Sequence, residues 1–318
     1  MAGRGSQRLN VLLVGEESAG VQALHMLAAT DHRVAAVLTG SHEPARTPVR
    51  GVSVAAVAKL FGHRTLPADL VRDAGFADEV RRLGVDLILN IHSLFVMHAD
   101  VAASARLGAF NLHPGPLPAY AGLNAPNWAI FNDEDEHGVT LHWMEAGIDT
   151  GPIAYQAVFP IGDTDTGMAV ARRCVRDGLE LVARLLETAA ADRSAIPRRA
   201  QDMSRRTYFG RQVPHDGVLD WRWPARKVLN FVRACDYYPL PSPWGYPSAH
   251  AGDLSIAIAR ARATGEPAAV PAGTVDATSD AVRVACGDAW VEVTHVWCDE
   301  RRRRAVEVLE SVPRLTAA

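Results

Sequence analysis

The chain has 318 residues, of which 48% are hydrophobic and 22% are charged, a composition typical of globular proteins. Its formal net charge of −3 excludes a global basic field that would attract nucleic acid or an anionic membrane. The four cysteines are scattered, which fits neither a zinc knuckle nor a disulfide framework. The start of the chain lacks an apolar run of signal-peptide length, and no later stretch is long enough to span a bilayer. We therefore expect a cytoplasmic protein with no metal site.

The first half of the chain alternates apolar runs with helical sequence. Residues 11–15 and 34–38 are predicted to be buried strands, and residues 85–89 and 109–111 are predicted to be later strands. Strands that are separated by helices indicate an α/β fold with a doubly wound, mainly parallel sheet of the Rossmann-like kind. In such sheets, ligands bind at the carboxyl ends of the strands.

Further along the chain, the pattern changes. Residues 139–144 and 153–159 are predicted to be strands on either side of a polar loop, and a long helix follows them. The polar segment 196–202 is a plausible bridge between domains. Short apolar runs beyond it alternate with Gly, Pro and Asp, which predicts a smaller β-rich, barrel-like domain. We place the first domain at 1–205 and the C-terminal domain at 206–318.

Three residues are candidates for catalysis. Alternation along a strand places the side chains of Asn111 and His113 on the same face, and Pro114 ends the strand directly after them. Asp149 lies in a glycine-flanked loop between two predicted strands, where a carboxylate can reach a ligand. A turn aspartate that binds its own backbone fits that position equally well. We interpret His142 as a structural or supporting residue.

Residues 109–151 resemble the 10-formyltetrahydrofolate-dependent formyltransferases, a family that includes methionyl-tRNA formyltransferase and amino-sugar N-formyltransferases. The matching motifs are, in order, Asn-Leu-His-Pro, Leu-Pro-x-Tyr-x-Gly, Gly-Val-Thr-Leu-His-x-Met and Asp-x-Gly. A further stretch, residues 208–234, is similar to the opening of the family's C-terminal barrel domain. The resemblance implies that Asn111, His113 and Asp149 are a catalytic trio and that 10-formyltetrahydrofolate is the co-substrate.

The resemblance also implies a slot for the folate. One wall would be an apolar loop after the strand that ends near Asn90, and the other wall would be the loop that leads to Asp149. The residues expected to bind the pterin are Leu94, Phe95, Val96, Met97, Gly147 and Ile148.

The chemistry of formyl transfer suits the three catalytic candidates. An amine that attacks a formyl carbon generates an oxyanion, which the amide nitrogen of Asn111 and a protonated His113 would stabilise. Asp149 would accept the proton that the amine loses, and its charge would raise the pKa of His113 and keep the ring cationic. We expect Asn111 and His113 to face a cleft that solvent can reach.

The acceptor is less well defined by the sequence. The tRNA enzymes carry a basic insertion after the second strand, whereas residues 40–50 are short and weakly basic here. Residues 121–128 are more similar to formyltransferases of small amines, which include sugar-nucleotide enzymes and formylation domains of peptide synthetases. Asn124 and Trp128 would lie at the edge of the acceptor pocket, although Trp128 equally fits the core of a helix.

We therefore expect a small amine as the acceptor, either an amino sugar nucleotide or an amino acid or peptide-like molecule of natural product biosynthesis. Free and carrier-tethered acceptors both remain open, as does the oligomeric state. The alternatives are a methionyl-tRNA formyltransferase, a folate-dependent formyl hydrolase, and a non-catalytic folate-binding protein.

Overall fold

The computed structural model describes residues 7–40, 53–93 and 95–317. These residues form two compact units. The first contains the described residues up to Gly122, together with Gly138–Phe159 and Arg173–Tyr208. The second contains Leu123–His137, Pro160–Arg172 and the chain from Phe209 onward. The division at residue 205 stays a prediction, because the second unit also includes two earlier segments.

The elements alternate in the first half of the chain and become mostly strands in the second half. In chain order they are β1 (Asn10–Gly15), α1 (Glu17–Ala28), β2 (Arg33–Leu38), α2 (Val54–Leu60), β3 (Thr65–Leu66), α3 (Phe76–Arg82), β4 (Leu87–Ile91), α4 (Ala99–Ala102), β5 (Gly108–His113), β6 (Ala121–Gly122), α5 (Ala125–Phe131), β7 (Glu136–Trp143), β8 (Ile153–Pro160), α6 (Gly167–Ala191), β9 (Tyr208–Phe209), α7 (Ala225–Cys235), β10 (Ser248–Ala251), β11 (Leu254–Pro267), β12 (Val275–Ala277), β13 (Val282–Ala285), β14 (Ala289–Cys298), β15 (Arg301–Arg304), α8 (Val306–Leu309) and β16 (Leu315–Ala317).

The first unit is built on a sheet with the strand order β3-β2-β1-β4-β5-β7-β8. Neighbouring strands from β3 to β5 are parallel, and β7 is antiparallel to β5. All five residues of β4 are buried, as expected for a strand that is covered on both faces of a parallel sheet. The predicted α/β class with a mainly parallel sheet is confirmed.

Pairing between the strands brings polar residues into one row across this sheet. Asn90 of β4 is paired with Asn111 of β5, and Asn111 is paired in turn with His142 of β7. His113 at the end of β5 lies opposite Thr140. Because paired residues direct their side chains to the same face, the register alone brings these groups close to one another.

The second unit contains a sheet with the order β12-β13-β14-β11-β10-β16, and β15 pairs with β14 as a side branch. All of the recorded pairings in this sheet are antiparallel. Apolar residues of α7, including Val228 and Val232, share a buried core with Ile258 and Val291 of the sheet. The predicted β-rich C-terminal domain is confirmed. None of the helices within the described ranges is both long enough and apolar enough to cross a membrane.

Close packing at Gly151, just after the loop that carries Asp149, gives a test of the fold. A Cβ atom at Gly151 would overlap the carbonyl oxygen of Trp143, which is a backbone atom of β7. We expect Gly151→Ala to lower the free energy of unfolding in urea by about 1–3 kcal/mol, the usual cost of overpacking. Gly162→Ala is the control, because the nearest atom to its Cβ would be 3.5 Å away, an ordinary van der Waals distance, in the half-buried Asp165 side chain. Equal stability of the two variants would contradict this packing.

Candidate active site

His113 is held at the end of β5 by a hydrogen bond to the following loop. Its Nε2 lies 2.7 Å from the carbonyl oxygen of Tyr120. A carbonyl oxygen can only accept, so Nε2 carries a proton and Nδ1 of the neutral ring carries a lone pair. Nδ1 lies 3.5 Å from Oδ2 of Asp149. Only 3% of His113 is exposed, so this side chain reaches solvent less than we expected, whereas Asn111 is partly exposed.

Thr140 binds the proline-rich loop of residues 114–120, which follows β5 and brings the Tyr120 carbonyl beside His113. The Thr140 hydroxyl donates to the carbonyl oxygen of Gly115 at 2.7 Å and accepts from the amide of Leu117 at 3.1 Å. Gln156 Nε2 donates to the same hydroxyl at 2.9 Å and to the carbonyl oxygen of Leu117 at 2.8 Å. These bonds fix the loop, and the loop in turn fixes the tautomer of His113.

The Asp149 carboxylate is directed into the site and is not bound to its own turn. Its Oδ2 accepts from the amide of Gly122 at 2.8 Å, and its Oδ1 lies 3.3 Å from Nδ2 of Asn111. Asp149 has a left-handed backbone with φ of 55°, a conformation that aspartate tolerates better than most residues. Gln201 Nε2 fixes the loop by donating to the carbonyl oxygens of Asp149 at 2.9 Å and Gly151 at 2.7 Å.

The charges of Asp149 and His113 follow from these contacts. Burial opposes ionisation of Asp149, but the nearby imidazoles of His113 and His142 and the Gly122 amide hold the pKa of its carboxyl well below the usual range. Burial lowers the pKa of His113 and outweighs the Asp149 charge, which raises it. The direction of this shift is opposite to the rise that we expected from Asp149, and it favours a neutral imidazole beside an ionised carboxylate near neutral pH.

The contacts of His142 fit the supporting role that we gave it from the sequence. Its Nδ1 donates to the carbonyl oxygen of Trp143 at 2.8 Å, so Nε2 of the neutral ring is an acceptor. This Nε2 lies 3.1 Å from Nδ2 of Asn111 and 3.4 Å from Oδ1 of Asp149. The Asn111 amide nitrogen is thereby directed toward the centre of the cluster. The Thr140-x-His142 spacing on β7 was the signal in the sequence for this contact.

The residues expected to bind folate have different environments. Val96 is 70% exposed and Ile148 is 45% exposed, so both present apolar surface. Met97 is buried, and Phe95 packs partly against the same core, which lies between the sheet and its helices. Gly147 has a positive φ of 105° in the loop before Asp149. Leu94 lies outside the described residues.

The two residues expected to bind the acceptor belong to the second unit. Asn124 precedes α5 with a left-handed φ of 56° and makes no side-chain capping bond. Trp128 is 9% exposed, stacks on Phe209 at 4.5 Å between ring centroids and meets Trp244 edge-on at 4.9 Å. Trp128 is therefore packed in an aromatic core, which agrees with our interpretation of it as a core residue of the helix.

The segment that we compared with the basic insertion of the tRNA enzymes is residues 40–50. All of these residues except Gly40 lie outside the described part of the chain.

The sequence analysis missed Gly122 and Gln201, which bind the side chain and the backbone of Asp149. Gly122 ends the Leu-Pro-x-Tyr-x-Gly motif, but its role as a backbone donor is not visible in the sequence. Gln201 has no local signal, because it lies about 50 positions away and meets the Asp149 loop only in the folded chain. Within the described ranges, no group of three or more His, Cys, Asp or Glu side chains is placed to hold a metal ion.

Several solved structures share this fold. An N-formyltransferase from Helicobacter canadensis, in complex with folinic acid and dTDP-3-aminofucose, aligns over 90% of this chain and 98% of its own, with 19% identity and a TM-score of 0.67. HypX from Aquifex aeolicus aligns over 97% of this chain and 49% of its own, with 19% identity and a TM-score of 0.67. A 4-N formyltransferase from Francisella tularensis aligns over 74% of this chain and 90% of its own, with 17% identity and a TM-score of 0.58.

Comparison with protein families covers both halves of the chain. Residues 7–186 match the family described as formyl transferase, and residues 212–311 match the formyl transferase C-terminal domain. The first match alone spans more than half of the 318 residues. The chain therefore belongs to the formyl transferase family.

Proposed function

We propose that this formyltransferase moves a formyl group from 10-formyltetrahydrofolate to the amine of a small molecule. The observation that carries the proposal is the cluster in which Asn111, His113 and Asp149 meet at the carboxyl end of β5. The exposed apolar side chains of Val96 and Ile148 suit the two faces of a pterin.

In the proposed reaction, Asn111 Nδ2 exchanges its long 3.3 Å contact with Asp149 Oδ1 for a hydrogen bond to the formyl oxygen as negative charge develops on that oxygen. The amine nitrogen forms a bond to the formyl carbon, and His113 Nδ1 accepts the proton that this nitrogen loses. His113 then returns the proton to N10 of the folate as the bond between N10 and the formyl carbon breaks. The products are a formamide and tetrahydrofolate.

The gap between His113 and Asp149 supports the role of a base. Nδ1 and Oδ2 are 3.5 Å apart, and both are acceptors when the ring is neutral and the carboxyl is ionised. Two acceptor atoms that face one another repel, and an N–H group of the incoming amine would relieve that repulsion by donating to one of them. Once His113 has taken the proton, the Asp149 charge stabilises the imidazolium.

For the acceptor, we infer an amino sugar nucleotide or an amino acid or peptide-like amine, and a carrier-tethered amine remains within this class. The Helicobacter canadensis structure contains dTDP-3-aminofucose, which supports the first choice. A net charge of −3 gives no support for the many phosphate contacts that tRNA binding requires. We further propose that the protein acts in the cytoplasm, in natural product biosynthesis.

The direct experiment is to incubate the protein with 10-formyltetrahydrofolate and a panel of amines, and to identify formylated products by mass spectrometry. The panel contains amino sugar nucleotides, amino acids, carrier-bound aminoacyl groups and methionyl-tRNA. Formylation of a small amine is expected. Preferred formylation of methionyl-tRNA, release of formate without an acceptor, or folate binding without turnover would each contradict the proposal.

Asn111→Ala removes the expected oxyanion donor. We expect kcat to fall by about a hundredfold or more, the range for the loss of one such donor. Asn132→Ala, at the C-terminal end of α5, is the control and should keep the parent rate. Unfolding in urea is measured in parallel for both variants. A near-parent kcat in a folded Asn111→Ala protein would remove this residue from the mechanism.

The pH dependence of kcat tests the roles of His113 and Asp149. Because burial lowers the pKa of His113, the parent kcat should be constant at neutral pH and should fall only at acidic pH, below the ordinary histidine value of about 6.5. Asp149→Asn removes a charge that raises this pKa, so the acidic fall should move to still lower pH. At neutral pH the variant should be about a hundredfold slower, because the imidazolium loses its counter-charge. A parent rate that instead falls as the pH rises would indicate a cationic His113.

A further inference from the structure

Asn90 is a polar residue within the buried strand β4. Its neighbours Leu87, Ile88, Leu89 and Ile91 are apolar, and Asn90 itself is only 6% exposed. Its Nδ2 donates to Oδ1 of Asn111 at 2.8 Å. Its own Oδ1 is buried and has no hydrogen-bond partner among the described residues. A buried amide oxygen without a partner is unfavourable, and a leucine here would avoid that cost. The hydrogen bond that Asn90 donates to Asn111 is the contact that offsets this cost.

The contacts of Asn111 fix the direction of this bond. An ionised Asp149 oxygen can only accept, so Asn111 must present Nδ2 to it, which leaves the Asn111 Oδ1 facing β4. Asn90 supplies a donor at that place. The three side chains thus form a chain of bonds in one direction, from Asn90 to Asn111 to Asp149.

We infer that Asn90 is a positioning residue that keeps the amide nitrogen of Asn111 turned toward the reacting formyl oxygen. This inference rests on the proposed function. Asn90 is buried and acts through Asn111 without touching the substrate. When the bond from Asn90 is lost, Asn111 Oδ1 has no donor on the β4 side, and the carboxamide is held only through its nitrogen, by Asp149 and His142. The carboxamide can then tilt and move that nitrogen away from the formyl oxygen.

The test uses Asn90→Asp, which keeps the shape of the side chain and makes its donor depend on pH. An ionised carboxyl group at this position has no proton to donate, whereas a protonated one can donate its O–H to Oδ1 of Asn111. Burial and the nearby charge of Asp149 should raise the pKa of the introduced carboxyl group above the ordinary value of about 3.9. At about pH 8, we expect kcat to be about a hundredfold below the parent value, the scale of a misplaced catalytic group.

As the pH falls to about 5, we expect the ratio of the variant kcat to the parent kcat to recover at least about tenfold, because the carboxyl group becomes a donor. Asn90→Leu is the control, and its ratio should stay low at every pH because leucine has no proton to give. Dividing by the parent rate separates this effect from that of the other ionisable groups nearby. These are His113, His142 and Asp149 around Asn111, and Glu16, Glu17 and His92 just after the ends of β1 and β4. Equal ratios for the two variants across the pH range would overturn the inference.

A double-mutant cycle tests the same claim without the introduced carboxyl group and decides the question if Asn90→Asp does not fold. If Asn90 acts through Asn111, then Asn90→Leu in an Asn111→Ala background should lower kcat by less than about threefold. Losses that multiply would overturn the inference. The KM for the folate should stay near the parent value in all of these proteins. A parent protein that formylates no amine would contradict the proposed function, whereas an active parent with multiplying losses would contradict only the role of Asn90.

Discussion

The Asp149 carboxylate is buried and ionised, and much of the site is arranged around that charge. An isolated charge inside a protein is very unfavourable, so it requires donors that are fixed in place. The Gly122 amide and the Asn111 carboxamide supply N–H groups, and the rings of His113 and His142 lie within 3.5 Å. Because the carboxylate only accepts, it also sets the direction of the Asn111 amide.

The fold brings these partners together from distant parts of the chain. The parallel strands β4 and β5 end at the same edge of the sheet, and antiparallel β7 brings His142 beside Asn111. Gln201 then binds the backbone of the Asp149 loop from beyond α6. The loop between His113 and Gly122 returns to the site, where Tyr120 determines which nitrogen of His113 is protonated. The chemistry of one imidazole therefore depends on a loop that contains no catalytic side chain.

Much of this arrangement could be predicted from the sequence, because strand periodicity decides which residues share a face. The rest depends on contacts that form only in the folded chain. Strand periodicity and Pro114 placed Asn111 and His113 together on β5, and the structure has both there. The burial of His113 was not predictable from β5 alone, because the loop that carries Gly115 and Tyr120 packs against its ring. We expected a raised pKa for His113, and this burial lowers it. Asn90 lies in an apolar run with no distinguishing period, so its bond to Asn111 emerges only from the register of β4 and β5.

The protonation state of His113 tests the central claim most directly. Nitrogen-15 NMR of the imidazole rings, assigned with a His113→Gln variant, distinguishes a neutral ring with its proton on Nε2 from an imidazolium. At about pH 7, above the ordinary histidine pKa of about 6.5, we expect the neutral form with the proton on Nε2, bound to the Tyr120 carbonyl. An imidazolium at that pH, or a neutral ring with its proton on Nδ1, would contradict the account of a neutral base beside an ionised Asp149.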